Sequence, residues 1–145
     1  MPDEAQPRHD LEAGLRILVQ VPAEALPRVE SAVLACDPLA HGDYDRVSFH
    51  AAEGVQRFRS CGGGRNAATA DTVAVDCLEW QIFTTAQGEA LDVLIRAIYH
   101  AHPYEEPVIH LVPAQRCRHR RGMGEDNPNR FWNRAPAAWV PPAHR

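Results

Sequence analysis

The residues best equipped for chemistry sit in one short string, Ala101-His102-Pro103-Tyr104-Glu105-Glu106-Pro107. Proline fixes its own φ and biases the preceding residue away from helix, so Pro103 and Pro107 stiffen the loop between them and present its side chains in a set geometry. An imidazole beside carboxylates suits a divalent metal, copper or zinc, or a cationic ligand. His102 and Glu105 are the first candidate metal ligands, with His100 and His110 as further imidazoles. A zinc site needs three or four convergent donors, however, and an i, i+2 pair such as His100 and His102 points apart within a helix. The structural alternative is that a protonated His102 meets the negative end of a helix dipole while Glu105 and Glu106 pair with Arg57 or Arg59 across strands or subunits.

A second candidate lies upstream, where residues 61–70 include Gly62, Gly63 and Gly64, then Arg65 and Asn66. Consecutive glycines expose backbone N–H groups that an anion can accept, and Arg65 adds a cation. No strand-to-helix phosphate-loop context follows, so the two readings are a loop that closes on a ligand and a plain flexible hairpin. Nucleophilic catalysis has little to work with. The chain has three serines, no nucleophile-elbow string, and no cysteine with a local signature for thiolate activation, so a non-enzymatic protein is expected. Cys36, Cys61, Cys77 and Cys117 form no C-x-x-C pair, and idle thiols are the reading.

The elements that must carry these groups follow from hydrophobic periodicity. Residues 1–13 are polar and proline-containing and read as a flexible arm. Residues 15–21 are a buried strand, and Leu26, Val29, Val33 and Cys36 recur at helical spacing until Asp37-Pro38. Residues 44–50 form a strand, and Glu53-Gly54 looks like a hairpin tip leading to residues 55–59. Residues 73–84 alternate as one long strand. Thr84 with Gln87 suggests a capping box, Leu91, Leu94, Ile95 and Ile98 an amphipathic helix, and residues 108–112 a last strand. The order is strand, helix, three strands, helix, strand, an α+β ferredoxin-like sandwich with two helices on one face of an antiparallel sheet.

Three strings in this order carry a family resemblance. They are the His-Pro-Tyr-Glu-Glu-Pro segment, Gly42-Asp43-Tyr44-Asp45-Arg46-Val47-Ser48-Phe49, and Gly54-Val55-Gln56-Arg57-Phe58-Arg59. Over about residues 15–113 the chain resembles the small domain inserted in Nif-three-like dinuclear-metal-centre proteins. CutA proteins carry a similar segment before their last strand, and both groups share the architecture of PII signalling proteins. The resemblance implies a homotrimer with ligand clefts at subunit boundaries. Residues 61–67 depart from the family's proline-containing loop, and the dinuclear metal ligands belong to flanking domains, so that metal site does not transfer. The expected ligand site comprises Tyr44, Arg57, Arg59, Gly63, Arg65, His102, Tyr104, Glu105 and Glu106. Its occupant stays open between a divalent metal and an adenine nucleotide.

Charge divides the chain. All fifteen positive residues are arginine, which excludes lysine chemistry; residues 1–115 carry a net −9 and residues 116–145 a net +5. The expected organisation is an arm (1–13), a domain (14–115) and a basic, proline- and aromatic-containing tail (116–145). An acidic body disfavours nucleic acid, so Arg118, Arg120, Arg121, Phe131, Trp132 and Trp139 are expected to dock on a protein partner or on acidic surface of the chain's own trimer. No segment has a membrane span or a secretory pattern, and a cytoplasmic protein is the expectation.

Overall fold

The computed structural model describes residues 9–120, 138–139 and 141–144. Five strands and two helices follow one another as β1 (His9–Val21), α1 (Leu26–Leu34), β2 (Phe49–His50), β3 (Gly54–Phe58), β4 (Val73–Thr84), α2 (Gly88–Ala101) and β5 (Ile109–His119), with a short 3-10 turn at Ala23–Ala25. All pairings are antiparallel in the order β2-β4-β1-β5, and β3 also pairs with β4. The ferredoxin-like α+β arrangement expected from the periodicity is therefore the observed one.

The core forms where alternate strand residues meet the apolar stripes of the helices. Ile17, Val19 and Val21 of β1 and Leu78, Trp80 and Ile82 of β4 pack with Leu26, Val29 and Val33 of α1 and Leu94, Ile98 and Ala101 of α2. The register places Ile17 opposite Ile82 and Val19 opposite Trp80, so a one-residue slip would expose the whole set.

β2 and β3 are not a hairpin with each other. Both pair with the same edge of β4, Phe49 opposite Gln81 and Gly54 opposite Cys77, with Ala51 N–H donating to Glu79 O at 3.2 Å between them. Glu53-Gly54 thus belongs to an interruption in one edge strand, and the hairpin is β3–β4, closed by residues 59–72. Of the expected strand 44–50, only Phe49–His50 is extended. Leu39 (φ 51°) and Arg46 (φ 55°) lie in the left-handed region, which breaks any strand.

Asp37 organises this irregular stretch. One carboxylate oxygen accepts from Leu39 N–H at 2.8 Å and the other from the buried Thr84 hydroxyl at 2.7 Å. Thr84 in turn accepts from Ala86 N–H at 3.0 Å, so the capping box with Gln87 is not made, and Gln87 heads α2 without a side-chain cap. Asp37→Ala is expected to cost about 2 kcal/mol, since it strands a buried hydroxyl and a backbone N–H. Asp37→Asn should recover part of the loss, because one acceptor remains; urea denaturation of the three proteins checks the order.

Two sequence boundaries move. Residues 9–13 are not an arm, and β5 does not stop before Arg116. His9 pairs with His119 and Glu12 with Arg116, so the β1–β5 ladder runs on beyond the end of β4 as a two-stranded ribbon. Gly14 marks the step, and Cβ built there would lie 2.5 Å from Thr84 O and 2.6 Å from the Phe83 ring. Along the ribbon Arg116 and Arg118 hold Glu12 at 2.7 and 3.1 Å, and Arg120 pairs with Asp10. These guanidinium contacts pull both carboxyls below their ordinary pKa. Arg116 also lies 4.3 Å above the centre of the Phe83 ring. Arg118 and Arg120, expected to dock on a partner or on acidic surface of the chain's own trimer, are bound to Glu12 and Asp10 of the same chain. Arg121, Phe131 and Trp132 lie outside the described residues, and Trp139 is exposed.

Pro113 sits inside β5 without a broken bond. Gln20 N–H donates to Val108 O at 3.1 Å, and in an antiparallel register bonded pairs alternate, so Pro113 opposite Leu15 turns its ring nitrogen to the free edge. It removes an outward donor and blunts that edge against a further strand.

Candidate functional site

The turn between α2 and β5 is built on His102. Its backbone N–H donates to Ile98 O at 3.0 Å and ends the helix, after which an extended backbone leads into Pro103. Tyr104 N–H donates to Nδ1 at 3.1 Å; an amide can only donate, so Nδ1 accepts and the proton resides on Nε2, which donates to Gln20 O at 2.7 Å. The Tyr104 ring lies 4.7 Å away by centroids. Burial holds the imidazole below its usual pKa of 6.5, partly opposed by the Gln20 carbonyl. Both ring nitrogens are committed within the fold. This corrects two expectations, that of His102 as a metal ligand and that of a protonated helix cap: the ring is neutral and ties α2, β1 and the turn together.

His102 thereby sets the direction of the residues after it. Tyr104, whose hydroxyl is pushed up in pKa by burial, and Glu105 face the glycine loop of the β3–β4 hairpin. That loop has its own internal frame: Ser60 Oγ donates to Asn66 O at 2.9 Å and accepts from Gly62 N–H at 3.2 Å, and Thr69 N–H closes on Ser60 O at 3.1 Å. Gly62, at φ 84°, supplies a bend that few other residues tolerate. Framed in this way, the loop reaches the turn. Arg65 N–H donates to both oxygens of Glu105, at 2.9 and 3.0 Å, forty positions away in sequence.

Loop and turn bound a groove of about 1230 Å³. Its walls include Arg59, Gly63, Arg65, Tyr104, Glu105 and Glu106, six of the nine expected ligand-site residues. Phe58, Tyr99 and Ile109 add apolar surface, and His110 lines it as well. Phe58 and Gln56 share a face of the hairpin by register, which leaves Arg57 on the opposite one. Tyr44 stands outside the groove in the 41–44 turn, three-quarters exposed. His102 is buried and does not line it. Within the single chain neither glutamate pairs with Arg57 or Arg59; Glu105 takes the Arg65 amide, and Arg59 donates to Ala70 O at 3.5 Å.

Among the described residues no three His, Cys, Asp or Glu side chains converge as a metal site, so His100, His102, Glu105 and His110 do not form one. Sequence reading missed Tyr99, whose hydroxyl donates to Glu105 O at 3.4 Å; a tyrosine three residues before His102, off the buried stripe of α2, is the signal that could have found it.

Searches by sequence against protein-family models and curated proteins return no match. Comparison of folds does. A Bacillus cereus protein described as related to NIF3 superposes with a TM-score of 0.59 at 24% identity over 72% of this chain. The chain has the fold of the domain it matches there. It spans only 26% of the length of that NIF3-related protein. CutA from Synechococcus elongatus matches 74% of this chain and 84% of its own, at 24% identity and a TM-score of 0.42. No helix among the described residues is long and apolar enough to cross a membrane.

Proposed function

We propose that this chain is a non-enzymatic, PII-like binding and regulatory module that takes a small ligand in the groove between the glycine loop and the 102–107 turn. The observation that carries this reading is the convergence of loop and turn on one cavity, with arginines, backbone amides, tyrosines and carboxylates on its walls. A concave site with apolar walls and a few polar groups is the usual form of a ligand pocket. The ring of His102, held from both sides, keeps one wall rigid, while the other wall is a loop with three glycines. Ligand-dependent ordering of that loop would change a surface read by a partner.

A homotrimer is part of the proposal, by resemblance, and so is a cytoplasmic setting. Leu11, Phe49 and Val55 are each more than half exposed on the single chain, which is apolar surface an assembly would cover.

The test is a thermal-stability titration of the dialysed protein with adenine nucleotides, copper and zinc. A ligand at about 100 times its Kd should stabilise the fold by about 2.7 kcal/mol. Groove occupancy predicts that Arg59→Ala or Tyr104→Ala removes the shift, while Tyr44→Ala keeps it. If Tyr44→Ala removes the shift and the two groove variants keep it, the site lies elsewhere.

A further inference from the structure

The contact between loop and turn has the form of an anion site already filled. Residues 59–70 carry two arginines and no acid, so the loop is a net cation on an otherwise acidic body. Among the described residues the Gly63 and Gly64 N–H groups have no acceptor, while the next amide, Arg65, donates to Glu105. Successive backbone amides in a turn can form a concavity suited to an anion. The Glu105 carboxylate lies so close that Cβ built on Gly64 would stand 2.6 Å from one oxygen and 2.8 Å from the other, so residue 64 can bear no side chain while Glu105 is in place.

We propose that Glu105 is the internal occupant of an anion-binding loop, and that the groove takes a small ligand whose carboxylate or phosphate group replaces Glu105 on the Arg65 amide. This rests on the groove being the ligand site and names the chemistry of its occupant. Without ligand, the Glu105 carboxylate latches the loop to the turn. An incoming anion takes over the Arg65 amide, gains the vacant Gly63 and Gly64 amides and the Arg65 and Arg59 guanidiniums, and releases Glu105. The exchange couples occupancy of the groove to the conformation of the 102–107 turn. Affinity is set by competition, since any ligand must first displace a tethered carboxylate.

Amide hydrogen exchange at Arg65 in the full chain, with and without inorganic phosphate, tests the latch. In Glu105→Ala the Arg65 amide should exchange at least tenfold faster than in the wild type, and phosphate should restore protection at a concentration at least fivefold lower than that needed to perturb the wild-type loop. Gly64→Ala keeps Glu105 but leaves no room for its carboxylate, and should accelerate exchange similarly; it serves if Glu105→Ala does not fold. Unchanged exchange in these variants, or phosphate acting on both proteins equally or on neither, overturns the proposal. The groove reading falls separately, if no compound of the thermal titration stabilises either wild type or Glu105→Ala, or if the Arg59→Ala and Tyr104→Ala variants keep the shift that Tyr44→Ala removes.

Discussion

Replacing His102 with alanine is expected to lower stability by about 3–4 kcal/mol, because two backbone groups, Gln20 C=O and Tyr104 N–H, lose their partners at a site sheltered from water. For a domain of this size the melting temperature should fall by roughly 10–15 °C. The loss exceeds that of an ordinary surface histidine because the ring bridges three elements. Asparagine at 102 is expected to recover little, since its shorter side chain cannot span the same gap. Acid should act in the same direction. The folded-state pKa lies below 6.5, so on lowering the pH beneath 6.5 the unfolded chain takes up a proton that the folded chain refuses, and stability is lost until the pH passes the lowered folded value. Above pH 6.5 this contribution is fully present. Urea denaturation at pH 7.5 and at pH 5.5 should show a smaller acid loss in His102→Ala than in the wild type. An equal loss in both would assign the acid sensitivity to other groups.

Gly14→Ala should be nearly as damaging, at about 3 kcal/mol, which is at the upper end for overpacking. The added methyl meets a backbone oxygen, Thr84 O at 2.5 Å, and an aromatic ring held by Arg116, and neither can yield cheaply. The strain falls where the sheet narrows from three strands to two, so amides of the ribbon, at residues 9–13 and 115–119, should lose exchange protection before those of the core. A destabilisation under about 0.5 kcal/mol, typical of a surface change, would mean that Phe83 does not lie over Gly14 in solution.

Much of the fold was legible in periodicity alone. β4 has the bounds expected from its alternation, 73–84, and of the stripes read from the sequence α1 buries Leu26, Val29 and Val33 and α2 buries Leu94 and Ile98, while Leu91 and Ile95 are half-buried and Cys36 is exposed beyond the end of α1. The ribbon was illegible because its order comes from a distance. Asp10 and Glu12 look like solvated residues of an arm until Arg116, Arg118 and Arg120 are brought opposite them, more than a hundred positions later. The apparent tip at Glu53-Gly54 misled for a related reason: glycine marks an interruption in an edge strand as readily as a turn.

The site shows the same division. The string from His102 to Pro107 announced a stiff turn carrying charged groups, and the turn is there. Its local spacing could not show which way each group faces. His102 looked most like a ligand because an imidazole beside carboxylates is a familiar metal set, yet the two nitrogens meet Gln20 and Tyr104 instead. Likewise Glu105 looked like a partner for Arg57 or Arg59 across strands or subunits. It takes a backbone amide in the glycine loop because three residues without side chains let the loop approach a carboxylate closely.

Ligand binding in the groove between this loop and this turn, as proposed, is read residue by residue when backbone amide chemical shifts of the labelled protein are followed as the stabilising compound of the thermal titration is added. Occupancy of the groove gives saturable shifts concentrated in residues 58–66 and 99–110, with the amides of Gly63, Gly64 and Arg65 moving most. Shifts confined to the cleft between α1 and β2, where Glu30, Arg46 and His50 meet, with the glycine loop unmoved, would contradict it.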